Sequence, residues 1–253
     1  MLLAYGMTYI DTSQVFTGRQ LLMFLLLAGN WASAMTHLSS VAVPLWSVSI
    51  EEQFYLLWPL AVSKASRRQI LRICIVLTVI AFVWRTLVQE LAAHPHDLVW
   101  NGTFSYFDAI SYGIILAIVG TRRDLSTWMR VGLAALGLSA WFIAASCRAR
   151  ADVMLALAAI GSVLILRASI GFPIRSRVLI KLGTVSYGLY VYHELVLYVV
   201  ARFFPRPRAI GFIAWWLSSF GCTVIVALAS YRWLESPFLR LKKRFTIVKS
   251  KPV

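Results

Sequence analysis

The stretch Pro44–Pro59, PLWSVSIEEQFYLLWP, sets two adjacent carboxylates and an amide into an otherwise apolar, aromatic-rich run. Ionised groups at the edge of hydrocarbon are costly unless protein, water or a ligand compensates them. Glu51, Glu52 and Gln53 are therefore the first candidates for chemistry. Pro44 interrupts helix before the run, and Ser49-Ile50-Glu51-Glu52 has the Ser-x-x-Glu form of a capping box. Glu52 has two open readings, helix cap or chemical group, whereas the capping box leaves Glu51 without a backbone duty. At helical spacing Glu51 shares a face with Tyr55 and Trp58. That puts a carboxylate above an aromatic wall, where it either moves a proton or accepts hydrogen bonds from a sugar.

Around this run the chain is too apolar for a soluble domain: of 253 residues 60% are hydrophobic and 14% charged, and the mean hydropathy is +0.75. Apolar segments long enough to cross a bilayer fall at Leu45–Val62, Ile70–Leu91, Phe104–Gly120, Ser126–Cys147, Val153–Leu166, Leu182–Ala201 and Ile210–Tyr231, the fifth being short. Met1–Ile10 resembles the tail of a further span, and Gln20–Trp31 is apolar but short. The pattern predicts an all-α polytopic transmembrane helical bundle of about 7–9 spans.

Charge supports crossing helices. Lys64, Arg67, Arg68 and Arg72 fall on one side, with Arg122, Arg123 and Arg130, then Arg167, Arg175, Arg177 and Lys181, then the basic C-terminal cluster from Arg232 onward. The opposite side carries only Arg148, Arg150, Arg202, Arg206 and Arg208. Positive charge concentrates in cytoplasmic loops, so the C-terminus is expected in the cytoplasm and the Glu51 end of its helix outside. The net charge of +15 is thus mostly topology, and no nucleic-acid partner is expected. Residues 1–239 are read as one membrane domain and residues 240–253 as a basic tail. The tail's RLKKRF cluster either follows the topology rule alone or also attracts anionic lipid heads.

Cys74, Cys147 and Cys222 lie in apolar spans without pairable spacing and are expected as buried free thiols. No metal-ligand cluster, Gly-rich phosphate loop or Gly-x-Ser-x-Gly elbow is present. The opening residues lack the basic region and cleavage site of a secretory signal.

Four segments, in order, resemble those of the acyltransferase 3 family of bacterial integral-membrane enzymes that O-acylate cell-surface polysaccharides and lipopolysaccharide O-antigen. They are WSVSIEEQFYLLWP itself, FSYFDAISYGIILA at Phe104–Ala117, LGTVSYGLYVYH at Leu182–His193, and YRWLESPF at Tyr231–Phe238. The resemblance implies a bacterial inner-membrane enzyme that takes acyl-coenzyme A, usually acetyl-coenzyme A, as co-substrate and a carbohydrate hydroxyl as acceptor. Its mechanism would have a histidine base deprotonating the hydroxyl as it attacks the thioester. It also implies further N-terminal spans bearing a central arginine and histidine, which do not occur in this sequence. The chain is therefore expected to be N-terminally incomplete, half of a split enzyme, or a degenerate relative. Tyr106 stands where many relatives carry an arginine two residues before the aspartate, so Asp108 needs another partner.

Arg85 and Asp108 lie at matching depths in neighbouring spans joined by the Leu91–Thr103 connection. Either they form a buried ion pair, or Arg85 snorkels outward and Asp108 caps its own helix. His193 and Glu194 sit mid-span among Tyr187, Tyr190, Tyr192 and Tyr198. Here too there are two readings, a general base acting on a hydroxyl or an interhelical hydrogen bond. His37, His94 and His96 are assigned to outward loops without a role. The candidate site comprises Glu51 and His193 as catalytic groups, with Glu52, Gln53, Tyr55, Arg85 and Asp108 binding substrate. Against the enzyme stands a truncated non-catalytic scaffold or accessory subunit. A small transporter has less support, because neither an inverted repeat nor paired broken helices are found.

Overall fold

The structure is a computed structural model and describes residues 17–36, 42–92, 95–119, 125–146, 150–173, 175–204 and 211–245, all helical or connecting. We number the helices α1 (Gly18–Leu25), α2 (Gly29–Met35), α3 (Leu45–Val62), α4 (Arg67–Leu91), α5 (Pro95–Asn101), α6 (Phe107–Val119), α7 (Thr127–Ser146), α8 (Ala151–Ser169), α9 (Arg177–Thr184), α10 (Ser186–Phe203), α11 (Gly211–Ser230) and α12 (Ser236–Phe245). A 3₁₀ turn, Thr103–Tyr106, precedes α6, and a π turn, Tyr231–Glu235, joins α11 to α12.

Among the described residues four stretches are long and apolar enough to cross a bilayer: α4, α7, α8 and the continuous Gly211–Leu241. A fifth candidate is α5 with Thr103–Val119, bent by 57° at the break. The short fifth apolar segment of the sequence, Val153–Leu166, becomes the 19-residue α8. The 18-residue helices α3 and α10 are long enough but less apolar, because α3 carries Glu51, Glu52 and Gln53 and α10 carries His193, Glu194 and Arg202. Gln20–Trp31 forms no single helix: α1 ends at Leu25, and Leu27 takes a positive φ of 60° that breaks the helix before α2. Met1–Ile10 lies outside the described residues.

The helices divide into two units, α1–α8 and α9–α12. In the first, α7 packs along α8 through glycine. A Cβ on Gly137 would come within 2.8 Å of the Gly161 carbonyl oxygen, and one on Gly161 equally close to that of Gly137. Small residues let helix backbones approach where lipid offers no hydrophobic drive for association. Arg130 of α7 donates to the Ala168 and Ile170 carbonyls at 2.8 and 2.6 Å, closing the end of α8. Val88, Val99, Ala151 and Leu155 bury one another beneath Trp84 and Trp100. Exposed Ile75, Val76, Val79 and Phe82 on α4 give the bilayer an apolar face.

In the second unit, Gly188 of α10 lies against Ala227 of α11 so closely that a Cβ would sit 3.2 Å from the alanine methyl. Tyr192 and Ser230 hydrogen-bond at 3.0 Å, and the Trp215 indole donates to the Phe204 carbonyl at 2.9 Å. The π turn falls where Pro237 follows, a residue without an N–H to continue the α-helical ladder.

Two expectations are corrected. The helix carrying the carboxylates starts at Leu45, so Ser49 and Glu52 form no capping box. Ser49 lies within the helix, and its hydroxyl turns back to the Leu45 carbonyl at 3.4 Å. Cys74 is buried as expected, but Cys222 is exposed on α11, where an apolar thiol suits a hydrocarbon-facing surface. Cys147 lies outside the described residues.

Candidate active site

The Glu51 side of α3 faces α6 across a cavity of about 650 Å³. Phe54, Tyr55 and Trp58 form one wall, and Ala109, Gly113 and Ala117, spaced at four residues on α6, form the other. The i, i+4, i+7 spacing read from the sequence is what brings Glu51, Tyr55 and Trp58 to this cavity. Glu51 is the one carboxylate in the lining, is exposed, and makes no hydrogen bond to another described residue. It is available to a ligand. Tyr55 is 61% exposed. Pro59 cannot donate to the Tyr55 carbonyl four residues earlier, which leaves that acceptor free of its usual helical partner. Glu52 is exposed and lies outside the cavity lining.

Gln53 points elsewhere and is taken up by protein. Its amide nitrogen donates to the Leu27 carbonyl at 2.6 Å and to Asn30 Oδ1 at 3.0 Å, while its carbonyl accepts from Thr103 at 2.8 Å.

Arg85 and Asp108 meet. Their Nη2–Oδ2 distance is 2.6 Å with both side chains 2% exposed, and Arg85 Nη1 donates to the Ser105 carbonyl at 3.0 Å. Asp108 Oδ1 accepts from the Ala109 N–H at 2.8 Å. The snorkelling alternative for Arg85 is thereby excluded: a guanidinium so deeply buried is held by its partner. Arg85 supplies the cation that Tyr106 cannot. Tyr106 instead donates its hydroxyl to the Trp100 carbonyl at 2.6 Å and packs on Trp46 at 5.3 Å between ring centroids. Trp46 and Tyr106 line both the Glu51 cavity and a second, almost wholly apolar cavity of about 460 Å³ that reaches Asp108.

His193 belongs to the second unit. Its Nδ1 lies 2.5 Å from the Tyr190 carbonyl of its own helix, and its Nε2 lies 3.6 Å from Glu194. Both side chains are more than a third exposed, so the pair is open at its surface. His96 sits in α5 rather than in a loop, exposed and 3.5 Å from Asp97; His37 and His94 lie outside the described residues. Among the described residues no cluster of His, Cys, Asp and Glu has the makings of a metal site.

Asn30 and Thr103 were not anticipated as part of this assembly. Asn30 is fully buried, donates to the Asn101 carbonyl and to Thr103 at 2.9 Å each, and accepts from Gln53. Its one sequence signal is an amide near the end of the apolar run Gln20–Trp31.

A helical membrane chain with a lone carboxylate on an aromatic cavity is a fitting frame for acyl transfer. A family model described as an acyltransferase domain matches residues 2–232, and the chain belongs to that family, acyltransferase 3. It is 28% identical over 248 residues to the peptidoglycan O-acetyltransferase OatA of Listeria monocytogenes, covering 83% of this chain and 38% of that protein. To the O-acetyltransferase OatA of Staphylococcus aureus (strain NCTC 8325 / PS 47) it is 22% identical over 215 residues, covering 76% and 35%. To the putative peptidoglycan O-acetyltransferase YrhL of Bacillus subtilis it is 27% identical over 219 residues, covering 76% and 34%. The chain thus spans about a third of the length of the curated relatives it matches. No solved structure matches it.

Proposed function

We propose that this chain is the membrane-embedded part of an enzyme that moves an acyl group, acetyl in the simplest case, onto a hydroxyl of a cell-envelope carbohydrate. The observation that carries the reading is Glu51, a carboxylate without a hydrogen-bond partner among the described residues on an aromatic-walled cavity, in a chain of the acyltransferase 3 family. Aromatic faces with a nearby acceptor oxygen suit a sugar ring, whose C–H face stacks while its hydroxyls donate. The names of the relatives favour peptidoglycan as the acceptor; O-antigen and exopolysaccharide present the same hydroxyl chemistry. The donor in this reading is an acyl-coenzyme A thioester. The acceptor oxygen attacks the thioester carbonyl, its proton passes to a base, the new C–O ester bond forms, the C–S bond breaks, and the thiol leaves protonated.

In this scheme Glu51 receives the hydroxyl hydrogen. Tyr55 lies along the acceptor; within the second unit, His193 beside Glu194 is a further candidate acid–base group. Arg85, Asp108 and Gln53 support the acceptor side through the helices they hold. Localisation follows the same reading: the bacterial inner membrane, the C-terminus and the basic residues 240–253 in the cytoplasm, and α3 and α10 crossing beside the more apolar helices for a total of 7–9 spans at about 20 residues each.

The test is genetic and chemical. Deletion of the native gene is expected to remove ester-linked acetate from one envelope glycan, released by mild alkali and quantified. The wild-type gene is expected to restore it, whereas a Glu51→Gln gene is expected to leave membrane abundance intact and restore under about a tenth. Full restoration by Glu51→Gln would remove Glu51 from the site.

A further inference from the structure

Three side chains distant in sequence close a ring of hydrogen bonds beside the Glu51 helix. Asn30 donates through Nδ2 to Thr103 Oγ1 at 2.9 Å, Thr103 donates to Gln53 Oε1 at 2.8 Å, and Gln53 donates through Nε2 to Asn30 Oδ1 at 3.0 Å. Each member is both donor and acceptor, so the directions of all three bonds are fixed by one another. The ring is anchored to backbone at two irregular places. Gln53 also holds the carbonyl of Leu27, the residue of positive φ between α1 and α2, and Asn30 also holds the carbonyl of Asn101, where α5 ends.

The second anchor lies at the 57° bend between α5 and the helix that provides the far wall of the cavity. Across that bend three carbonyls are claimed by side chains: Trp100 by Tyr106, Asn101 by Asn30 and Ser105 by Arg85. A broken helix at membrane depth is tolerated where its freed backbone groups find protein partners, and here they do. The bend is consequently a fixed angle. Its far side begins α6, whose Ala109, Gly113 and Ala117 face Glu51, while Gln53 sits two residues from Glu51 on α3. Close packing admits no slack nearby: a Cβ on Gly29 would fall 2.8 Å from Ser49 Oγ and within 2.3 Å of the Phe24 ring.

We infer that Asn30, Gln53 and Thr103 are positioning residues that set the distance and angle between the two walls of the Glu51 cavity, and hence the alignment of the acceptor hydroxyl. This rests on the reading of Glu51 given above. Gln53 therefore acts through geometry, and Asn30 joins the site although it does not line the Glu51 cavity.

The experiment uses the full-length native protein in membrane vesicles, with acetyl-coenzyme A and the acceptor glycan as probes. It compares Thr103→Val, which keeps the shape but removes the hydroxyl, with Thr103→Ser, which keeps the hydroxyl; Asn30→Ala is a second break. Misalignment of reacting groups lowers turnover by on the order of 10- to 100-fold, so Thr103→Val and Asn30→Ala are expected to lose kcat to that extent per folded protein, with donor KM unchanged. Thr103→Ser is expected to stay within about threefold of wild type. Thr103→Val at wild-type kcat, or Thr103→Ser falling as far as Thr103→Val, would overturn the inference. Glu51→Gln is measured alongside. If it is inactive while Thr103→Val is fully active, the positioning role fails and the Glu51 reading stands; if Glu51→Gln is fully active, the underlying reading fails first.

Discussion

Arg85 and Asp108 show why a residue's depth matters more than its type. An isolated guanidinium or carboxylate in the middle of a bundle is strongly disfavoured, but at 2.6 Å with a further carbonyl contact the two compensate one another. Removing one partner leaves the other uncompensated, at a cost of about 3–5 kcal/mol. Arg85→Leu and Asp108→Leu are each expected to reduce the amount of protein recovered as a monodisperse species in mild detergent. Arg85→Asp combined with Asp108→Arg is expected to recover more than either swapped residue alone, and equal loss in the double variant would speak against the pair. The sequence made this pair legible through matched depth on adjacent spans, and it made the Glu51–Tyr55–Trp58 face legible through helical spacing. It did not reveal the partners of Gln53, because contacts between residues 30, 53 and 103 depend on how α2, α3 and the 3₁₀ turn pack and on no local spacing.

At the scale of elements, the first unit is held by two kinds of contact, polar clamps at the bend and glycine contact between α7 and α8. The second is purely steric. With backbone oxygen 2.8 Å from the place of a Cβ, Gly137→Val and Gly161→Val each force the helices apart, and overpacking of this kind costs about 1–3 kcal/mol. Each is expected to lower the temperature of detergent-induced aggregation, whereas Gly113→Ala, which meets nothing within 4 Å, is expected to leave it unchanged. Equal melting of Gly137→Val and wild type would contradict the close approach. Helix ends were read less well than helix bodies. Ser49-x-x-Glu52 imitates a capping box, yet α3 begins a turn earlier because Leu45 and Trp46 extend it. Among the described residues capping boxes form at Thr17 with Gln20 and at Ser66 with Gln69, both using glutamine at the third position.

For the molecule as a whole, composition was enough to require a membrane helical protein, and four ordered motifs carried a resemblance that the family match over residues 2–232 supports. The number of helices apolar enough to cross by themselves is smaller than the number of apolar runs. The polar residues Glu51, Glu52 and Gln53 lower the hydropathy of α3, and His193, Glu194 and Arg202 that of α10, so the residues proposed for the site also weaken the span signal. In the function proposed above, the Glu51 face of this membrane domain directs transfer of an acyl group to an envelope sugar. The most direct measurement is transfer of radiolabelled acetate from acetyl-coenzyme A to the purified acceptor glycan by the full-length native protein in sealed vesicles, wild type beside Glu51→Gln. Alkali-labile label is expected on the glycan with wild type and under about a tenth of it with Glu51→Gln at equal protein; equal labelling by the two proteins would overturn the role of Glu51.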